Sequence, residues 1–288
     1  MLRSLLTNSV WARKYLALSG LLLGCMFASP AIADDRPTLT IAVVPQYTPL
    51  FIHRNWRPLV ERISEKANIR LKLKTYASFR QFLAALKNGE PDFAYLAPSH
   101  LVTARKQQGY EPLVRDSSEE LIGIVVVNKD SPYKTIHDLK GKMLAFPSPN
   151  AFAASLYMRA WLQEKVGLKF KPNYVGTHDN VYRHVVHQLA EAGGGVNSTL
   201  ASQPAALQRR LRVLYQLPGV AGHPLSVHPR ISPKIRKNFV RSIFQIAQDP
   251  QGRELLNAIH FQNPIIANYQ RDYAFVEELG LDKYQSKE

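Results

Sequence analysis

The sequence predicts an α/β protein built as two lobes with a ligand cleft between them. Strand and helix patterns alternate along the first part of the chain, and the alternation resumes after a break. Such alternation favours mostly parallel sheets with helices on both faces. No long Gly/Ser linker separates the two parts, so we expect lobes that are joined by crossing strands.

The first unit follows the order strand, helix, strand, helix, strand. An apolar run at 39–44, ended by a proline, and the apolar residues at 93–96 predict buried strands. Residues 69–74 alternate apolar and basic side chains, which is typical of a half-exposed strand. Apolar residues recur at helical spacing over 56–63, and 78–89 carries the start and stop signals of a second helix.

The second unit and the C-terminal part continue this pattern. We expect a long apolar strand at 121–128 and a short, glycine-rich, buried segment at 193–196. Ser232-Pro233 and Asp249-Pro250 are typical helix starts, because proline is tolerated at the first helical position. Further strands are predicted at 143–146, 173–175, 211–217 and 224–228, and helices at 151–166, 179–190 and 269–279.

Residues 1–33 have the pattern of an export signal. A basic beginning is followed by an apolar stretch, and Ala31-Ile32-Ala33 is an A-x-A cleavage site. We therefore expect cleavage after Ala33. The alternative is lipidation of Cys25, because residues 22–25 resemble a lipoprotein box.

Composition narrows the classes of function. The chain has 288 residues and a formal net charge of +15, and loss of 1–33 removes three basic residues, leaving +12. The basic residues are spread along the chain, which is consistent with a solvated basic surface. The alternative is attraction of anionic solutes or of an anionic membrane surface, and the charge alone does not choose between them. An exported protein rarely meets nucleic acid, so we expect no nucleic-acid partner. The single cysteine excludes an intrachain disulfide framework and a structural thiolate zinc site.

Three segments, in this order and spacing, resemble one known family. They are the DFAYLAP stretch at 92–98, the SPYKT and DLKGK stretches within 131–142, and Gly176-Thr177-His178-Asp179. From about Leu39 to Tyr284, the chain resembles the phosphate/phosphite/phosphonate-binding family of periplasmic solute-binding proteins, which serve ABC importers.

The resemblance implies a type II periplasmic-binding fold with its ligand cleft between the lobes. It implies a periplasmic monomer that captures a small anionic or zwitterionic solute, such as an oxyanion, and passes it to an ABC permease in the inner membrane. No cofactor, resident metal or enzymatic activity is expected. We place lobe 1 at 34–122 and 221–288, and lobe 2 at 123–220.

The resemblance also implies an anion site at the start of a helix in lobe 2. Free N–H groups and the helix dipole favour an anion there. The matching residues are Ser148, Asn150, Ala151 and Phe152, although Pro149 offers no N–H group. The alternative role for Asn150 is to N-cap the helix at 151–166.

Four further residues are candidates for the ligand site. His178 matches the ligand histidine of the family, and its alternative role is to cap the next helix, a role that also suits Asp179. Tyr47 and Tyr95 follow the ends of strands, where ligands bind in open α/β sheets. Asn197 matches the position where some family members hold a substrate ammonium group with an acidic residue. An amide carries no charge, so a strongly cationic ligand group is less expected here.

Other functions stay open at this stage. The same closed lobes could present the ligand state to a signalling kinase, as a periplasmic sensor subunit. His178 with His184 and His187 suggests a metal site, although the default is a solvated helix face. A third alternative is a periplasmic enzyme that uses His178 as a base, which would need a carboxylate to orient the ring.

Overall fold

The computed structural model of the protein describes residues 36–286. The predicted signal, the cleavage site after Ala33 and Cys25 lie outside the described residues. Within 36–286, no helix is long and apolar enough to cross a membrane.

The described chain alternates strands and helices, as the sequence predicts. The strands are β1 (Thr38–Val43), β2 (Arg70–Lys74), β3 (Phe93–Tyr95), β4 (Glu111–Asp116), β5 (Gly123–Asn128), β6 (Met143–Phe146), β7 (Lys171–Tyr174), β8 (Ala192–Val196), β9 (Leu211–Gln216), β10 (Pro224–Val227) and β11 (Pro264–Ile266). The longer helices are α1 (Pro49–Ala67), α2 (Phe79–Lys87), α3 (Pro98–Gln108), α4 (Tyr157–Glu164), α5 (His178–Val186), α8 (Pro233–Gln248) and α9 (Pro250–Asn257). The short helices are α6 (Asn197–Ala201), α7 (Ala205–Gln208), α10 (Tyr269–Asp272) and α11 (Phe275–Glu278).

The strands form two sheets, one in each lobe. Sheet 1 has the order β11-β4-β10-β3-β1-β2, and sheet 2 has the order β7-β6-β8-β5-β9. In sheet 2 every strand except β5 runs in the same direction. In sheet 1, β10 runs antiparallel to both of its neighbours, and β11 runs antiparallel to β4. The mostly parallel, two-lobed arrangement that the sequence predicts is confirmed.

The chain crosses between the lobes twice. The first crossing, 117–122, connects β4 to β5, and the second, 217–223, connects β9 to β10. The two crossings pair with each other, because Leu121 and Val220 exchange backbone hydrogen bonds of 2.8 and 3.2 Å. These paired segments form the floor of the region between the two sheets.

Local sequence signals explain the helices that pack on sheet 1. The Ser78 side chain accepts a hydrogen bond from the N–H of Gln81 at the start of α2, and Ser232 caps α8 in the same way. The stripe of Trp56, Leu59, Val60 and Ile63 on α1 is buried, as its spacing predicts. Burying each large apolar side chain stabilises the lobe by roughly 1.5–3 kcal/mol.

Two predicted helices differ from the structure. The predicted helix at 269–279 is broken into α10 and α11, because Tyr273 leaves the helical conformation and its ring is buried. The predicted helix at 151–166 begins as one turn of π-helix, Phe152–Leu156, before α4. Helix α3 has no single apolar face, so its sequence carries no clear helical periodicity.

The C-terminal tail packs against lobe 2. Its last turn, Leu281–Tyr284, lies on α4, where the hydroxyl of Tyr284 donates to Glu164 at 2.9 Å. The guanidinium of Arg159 donates to the backbone oxygen of Tyr284 at 2.8 Å, and Lys283 forms an ion pair with Glu164. The lobe boundaries at 122 and 220 stay a prediction, but the last residues of the segment placed in lobe 1 contact lobe 2.

Candidate ligand-binding cleft

A cleft lies between the two sheets, above the crossing segments. It has an outer chamber of about 70 Å³ and an inner chamber of about 10 Å³. The two chambers share four lining residues: Val44, Gln46, Leu121 and His223. The inner chamber as it stands holds about one water molecule, so a larger solute requires the lobes to move apart.

Backbone amides line the inner chamber on the side of lobe 2. The N–H groups of Phe152, Ala153 and Ala154 have no hydrogen-bond acceptor among residues 36–286, whereas those of Ser155 and Leu156 both donate to the oxygen of Ala151. Free N–H groups at the start of a helix attract an anion, and the helix dipole adds to that attraction.

Two glycines allow this segment to approach sheet 2. A Cβ atom on Gly194 would lie 2.2 Å from the oxygen of Ala154, and one on Gly123 would lie 2.5 Å from the oxygen of Ala153. Both distances are shorter than real Cβ contacts, so only glycine fits. The glycine-rich segment that was predicted as buried, now β8, therefore positions the start of the helix.

Ser148 and Asn150 do not line the cleft. The Ser148 hydroxyl accepts a hydrogen bond from the N–H of Asn150 at 3.3 Å. The Asn150 amide bonds both backbone polar groups of Ser286 in the tail, at 3.0 and 3.1 Å. The prediction that Asn150 caps the helix is wrong, because the capping position is Ala151 and the Asn150 side chain turns to the tail. The donors left to a ligand here are backbone amides.

His178 lies at the first position of α5 and lines the inner chamber. Its side chain is buried, and its Nδ1 lies 3.1 Å from the hydroxyl oxygen of Thr199. Its Nε2 has no partner in the described part of the chain. Burial lowers the pKa of His178 to about 3, so the ring is neutral at physiological pH.

A hydroxyl group, not a carboxylate, orients His178. The hydroxyl is that of Thr199, and a general base would need a carboxylate in its place. Thr177, not His178 or Asp179, caps α5, and the Asp179 carboxylate instead accepts a hydrogen bond from Gln203. Exposed His184 bonds the oxygen of Asn180, and within 36–286 no group of three or more His, Cys, Asp or Glu residues could hold a metal ion.

Gln46 and His223 are site residues that the sequence analysis missed. They come from the end of β1 and from the second crossing, and their side-chain Nε2 atoms lie 3.1 Å apart. The Gln46 amide donates, so Nε2 of His223 accepts. Burial lowers the pKa of His223 to about 3, which keeps this ring neutral as well. Only their positions after a strand and at a crossing could have indicated them.

Aromatic rings line the outer chamber on the side of lobe 1. Tyr95 stacks on His223 with a centroid distance of 5.3 Å and packs against Trp56 at 4.7 Å. Tyr47 stacks on Phe51 at 4.4 Å. Burial raises the pKa of both tyrosines, that of Tyr47 to about 12, so their hydroxyls stay protonated. The structure therefore places both predicted tyrosines at the cleft.

The outer chamber is lined by carboxylates and, within the described residues, by no Arg or Lys. Asp116 is already satisfied, because its oxygens accept from the N–H groups of Ser118 and Asn263 at 2.9 and 2.7 Å. The carboxylates of Glu119 and Glu120 are exposed and have no ion-pair or hydrogen-bond partner within 36–286. This end of the cleft attracts cations.

Asn197 also lines the outer chamber, but its amide is used within the protein. Its Oδ1 accepts from the N–H of Ile122 at 3.1 Å, and its Nδ2 donates to the oxygen of Glu120 at 2.9 Å. Asn197 thus holds the first crossing in place. One N–H group and one lone pair of the amide are left, so a contact of Asn197 with a ligand stays a prediction.

The lobes touch at the mouth of the cleft. The hydroxyl oxygen of Ser202 in lobe 2 lies 3.2 Å from the hydroxyl of Tyr47 and 2.5 Å from Nε2 of His260, both in lobe 1. We call these three residues the latch. It joins the lobes directly beside the outer chamber.

Comparison with known proteins agrees with this architecture. The model of a family described as "ABC transporter, phosphonate, periplasmic substrate-binding protein" matches residues 41–273. The structure of a binding-protein component of an ABC phosphonate transporter from Pseudomonas aeruginosa superposes with a TM-score of 0.76 at 13% identity, over 88% of this chain and 90% of the other.

Two further structures share the fold. A protein of Prochlorococcus marinus, solved in complex with methylphosphonate, has a TM-score of 0.76 at 17% identity, over 84% of this chain and 97% of its own. A protein of Xanthomonas citri, solved with chloride, has a TM-score of 0.68 at 16% identity, over 86% of this chain and 98% of its own. All three likenesses concern the type II periplasmic-binding fold.

Proposed function

Because the chain belongs to the phosphonate family of periplasmic substrate-binding proteins of ABC transporters, we propose that its cleft captures a small zwitterion. The anionic end of this solute, a tetrahedral oxyanion, enters the inner chamber, and the cationic end points to the outer chamber. The solute bound by the Prochlorococcus relative, methylphosphonate, has the anionic end alone.

One observation carries this proposal: the two ends of the cleft have opposite chemistry. The inner end offers hydrogen-bond donors without a full positive charge, from the amides of 152–154 and from His178. The Thr199 hydroxyl lies 3.1 Å from Nδ1 of His178 and 3.0 Å from the backbone oxygen of Val196, which also accepts from the Tyr182 hydroxyl at 3.2 Å. In the arrangement we propose, Thr199 donates to Nδ1, so Nε2 of His178 carries the proton and donates to the oxyanion. The outer end offers the carboxylates of Glu119 and Glu120 beside aromatic rings, which is a lining that suits an ammonium group.

The test is a calorimetric titration of the refolded, ligand-free protein with aminoethylphosphonate and with ethylphosphonate, which lacks the ammonium group. We expect the zwitterion to bind about fivefold more tightly, which corresponds to about 1 kcal/mol from an ion pair with an exposed carboxylate. The double variant Glu119→Gln/Glu120→Gln should abolish this difference. The matched control Glu254→Gln/Glu278→Gln, which changes two exposed carboxylates elsewhere, should preserve it.

The anionic end is tested by His178→Ala. Loss of one hydrogen bond to a charged group costs about 1.5–3 kcal/mol, so both ligands should bind roughly ten- to a hundredfold more weakly. Equal affinity for the two ligands in the unmodified protein would contradict the zwitterion, while no binding of any phosphonate would contradict the oxyanion itself.

We also infer the form in which the protein acts. Cleavage after Ala33 leaves 255 residues without cysteine, as a monomer that binds reversibly, without turnover and without nucleic acid. Mass spectrometry of the exported protein tests the cleavage site, because a chain that begins at a lipidated Cys25 would be heavier by its acyl groups and by residues 25–33.

A further inference from the structure

A second cavity of about 310 Å³ lies apart from the cleft and shares no lining residue with it. We call it the tail cavity. Helices α2 and α3 of lobe 1 form one wall, Asn150 and Leu156 of lobe 2 form another, and Gln285 and Ser286 of the tail close it. Its volume is at the lower end of the range of small-molecule pockets.

Two buried polar groups of residues that line the tail cavity have no hydrogen-bond partner among residues 36–286. Ser99 and His100 are only 5% and 4% exposed, and neither Oγ of Ser99 nor Nδ1 of His100 has a hydrogen-bond partner. Leaving such a group unpaired costs about 1–3 kcal/mol, so each one calls for an explanation. The other ring nitrogen of His100 lies 3.0 Å from the backbone oxygen of Asn150.

This contact determines what His100 can offer to a ligand. A backbone oxygen only accepts, so Nε2 of His100 carries the proton and donates it to Asn150. In the neutral ring Nδ1 is then an acceptor. Burial lowers the pKa of His100 to about 4, which keeps the ring neutral above that pH. His100 lines the cavity, but its Nδ1 is not at the cavity surface, so a ligand reaches this acceptor only after a small side-chain shift and must then bring a hydroxyl or an N–H group.

The charge of the tail cavity is positive. Arg80 and Lys87 of α2 line it, no Asp or Glu does so within 36–286, and neither cation has an ion-pair partner in that part of the chain. The apolar part of the wall is formed by Leu83, Ala84, Leu86, Ala104 and Leu156. Uncharged polar side chains, among them those of Thr103 and Gln107, line the rest.

We propose that the tail cavity is a second binding site, for a small organic anion that also carries a hydroxyl group, such as a hydroxycarboxylate. Its carboxylate lies toward Arg80 and Lys87, its hydroxyl donates to His100, and its carbon skeleton packs on the apolar wall. This site shares no lining residue with the cleft and takes a different ligand.

The test is a two-dimensional NMR titration of the protein with lactate, 3-hydroxybutyrate, malate and mandelate. The matched controls are propionate, butyrate, succinate and phenylacetate, which lack the hydroxyl group. We expect saturable shifts at residues of α2 and α3 with at least one hydroxycarboxylate, and about fivefold weaker binding of its matched control, the effect of one hydrogen bond.

Two kinds of variant locate the site. Arg80→Gln/Lys87→Gln removes the charge, and Ala84→Phe fills the cavity from an exposed helix position, so each should abolish binding. The control Lys165→Gln/Lys169→Gln should keep it, and His178→Ala should keep it too, because that residue belongs to the cleft. No saturable shift with any hydroxycarboxylate would overturn the proposal, as would binding that survives both Arg80→Gln/Lys87→Gln and Ala84→Phe.

Discussion

The cleft and the tail cavity use the same short segment of lobe 2 but have opposite charge. Residues 151–154 line the inner chamber of the cleft, while Asn150 and Leu156 line the tail cavity. Carboxylates without Arg or Lys line the outer chamber, and cations without carboxylates line the tail cavity, within the residues described. The outer chamber is thus lined by carboxylates in a chain with a formal net charge of +15, because the charge at a site depends on the groups within a few ångströms and not on the whole chain.

The largest expected effect comes from moving the shared segment. Gly194→Ala places a Cβ atom 2.2 Å from the oxygen of Ala154, so the segment must shift. We expect the free energy of unfolding to fall by roughly 3 kcal/mol, the upper end of overpacking costs. Binding in the cleft and in the tail cavity should weaken together.

Urea denaturation and titration of both ligands measure this effect. Gly222→Ala, where a Cβ atom would meet nothing within 4 Å, is the control for stability and for binding in the tail cavity, because Gly222 itself lines the outer chamber. If Gly194→Ala weakens binding at one site only, residues 150–156 do not form a wall that both sites share.

Low pH should lower the free energy of unfolding, because buried histidines lie at both sites beside residues 150–156. Burial lowers the pKa of His178 and His223, in the cleft, to about 3, and that of His100, at the tail cavity, to about 4. The unfolded chain binds these protons near pH 6.5, so the free energy of unfolding falls as the pH drops from about 6.5 toward 4. Each histidine contributes at most about 1.4 kcal/mol per pH unit.

Urea denaturation at pH 7, 6 and 5 measures this slope above the range in which most carboxylates titrate. His178→Asn and His100→Asn should each make the slope shallower, by similar amounts. An unchanged slope in either variant would mean that its histidine is accessible to protons in the folded protein.

Asn150→Ala should weaken ligand binding in the tail cavity but not in the cleft. It removes both side-chain hydrogen bonds to Ser286 but leaves the backbone bond to His100 in place. We expect a loss of about 1–2 kcal/mol in stability. Ligand binding in the tail cavity should weaken, whereas phosphonate binding in the cleft should change less than twofold. Calorimetric titration of both ligands checks this, and a loss confined to the cleft would reverse the assignment of Asn150.

Ser202→Ala should give the smallest effect, and in the cleft alone. The Ser202 hydroxyl contacts Tyr47 and His260 across the mouth of the cleft. Loss of a net hydrogen bond of about 1 kcal/mol should speed ligand release roughly fivefold. Stopped-flow fluorescence can follow release, because Trp56 lines the outer chamber. Unchanged release would show that the latch does not hold the closed lobes together.

Much of the fold could be predicted because its signals are local. The stripe on α1, the caps of α2 and α8 and the buried β8 depend on residues close in sequence. Helix α3 was missed because its buried residues are not confined to one face.

The candidate sites could be predicted only in part. The position of Tyr47, Tyr95 and His178 at the cleft followed from strand ends and from a motif, but the partners of Asn150 and Asn197 did not. The side chain of Asn150 forms a hydrogen bond with Ser286, 136 residues away, and that of Asn197 forms one with Ile122, 75 residues away. Gln46 and His223 are 177 residues apart, so the sequence around one does not predict its contact with the other. Neutral polar residues become a site only when the fold brings them together.

The strand order of sheet 1 has a consequence for the order in which the chain acquires its structure. Strand β4 pairs only with β10 and β11, both of which come after the whole of lobe 2 in the sequence. A growing chain that ends at residue 220 contains every strand of sheet 2 but leaves β4 with no neighbour. Sheet 2 can therefore form first. Sheet 1 forms later and more slowly, because β4 must pair with strands that are far away in sequence. The cleft exists as a binding site only once residues 224–227 have been inserted between β3 and β4, so an incomplete chain cannot sequester the solute.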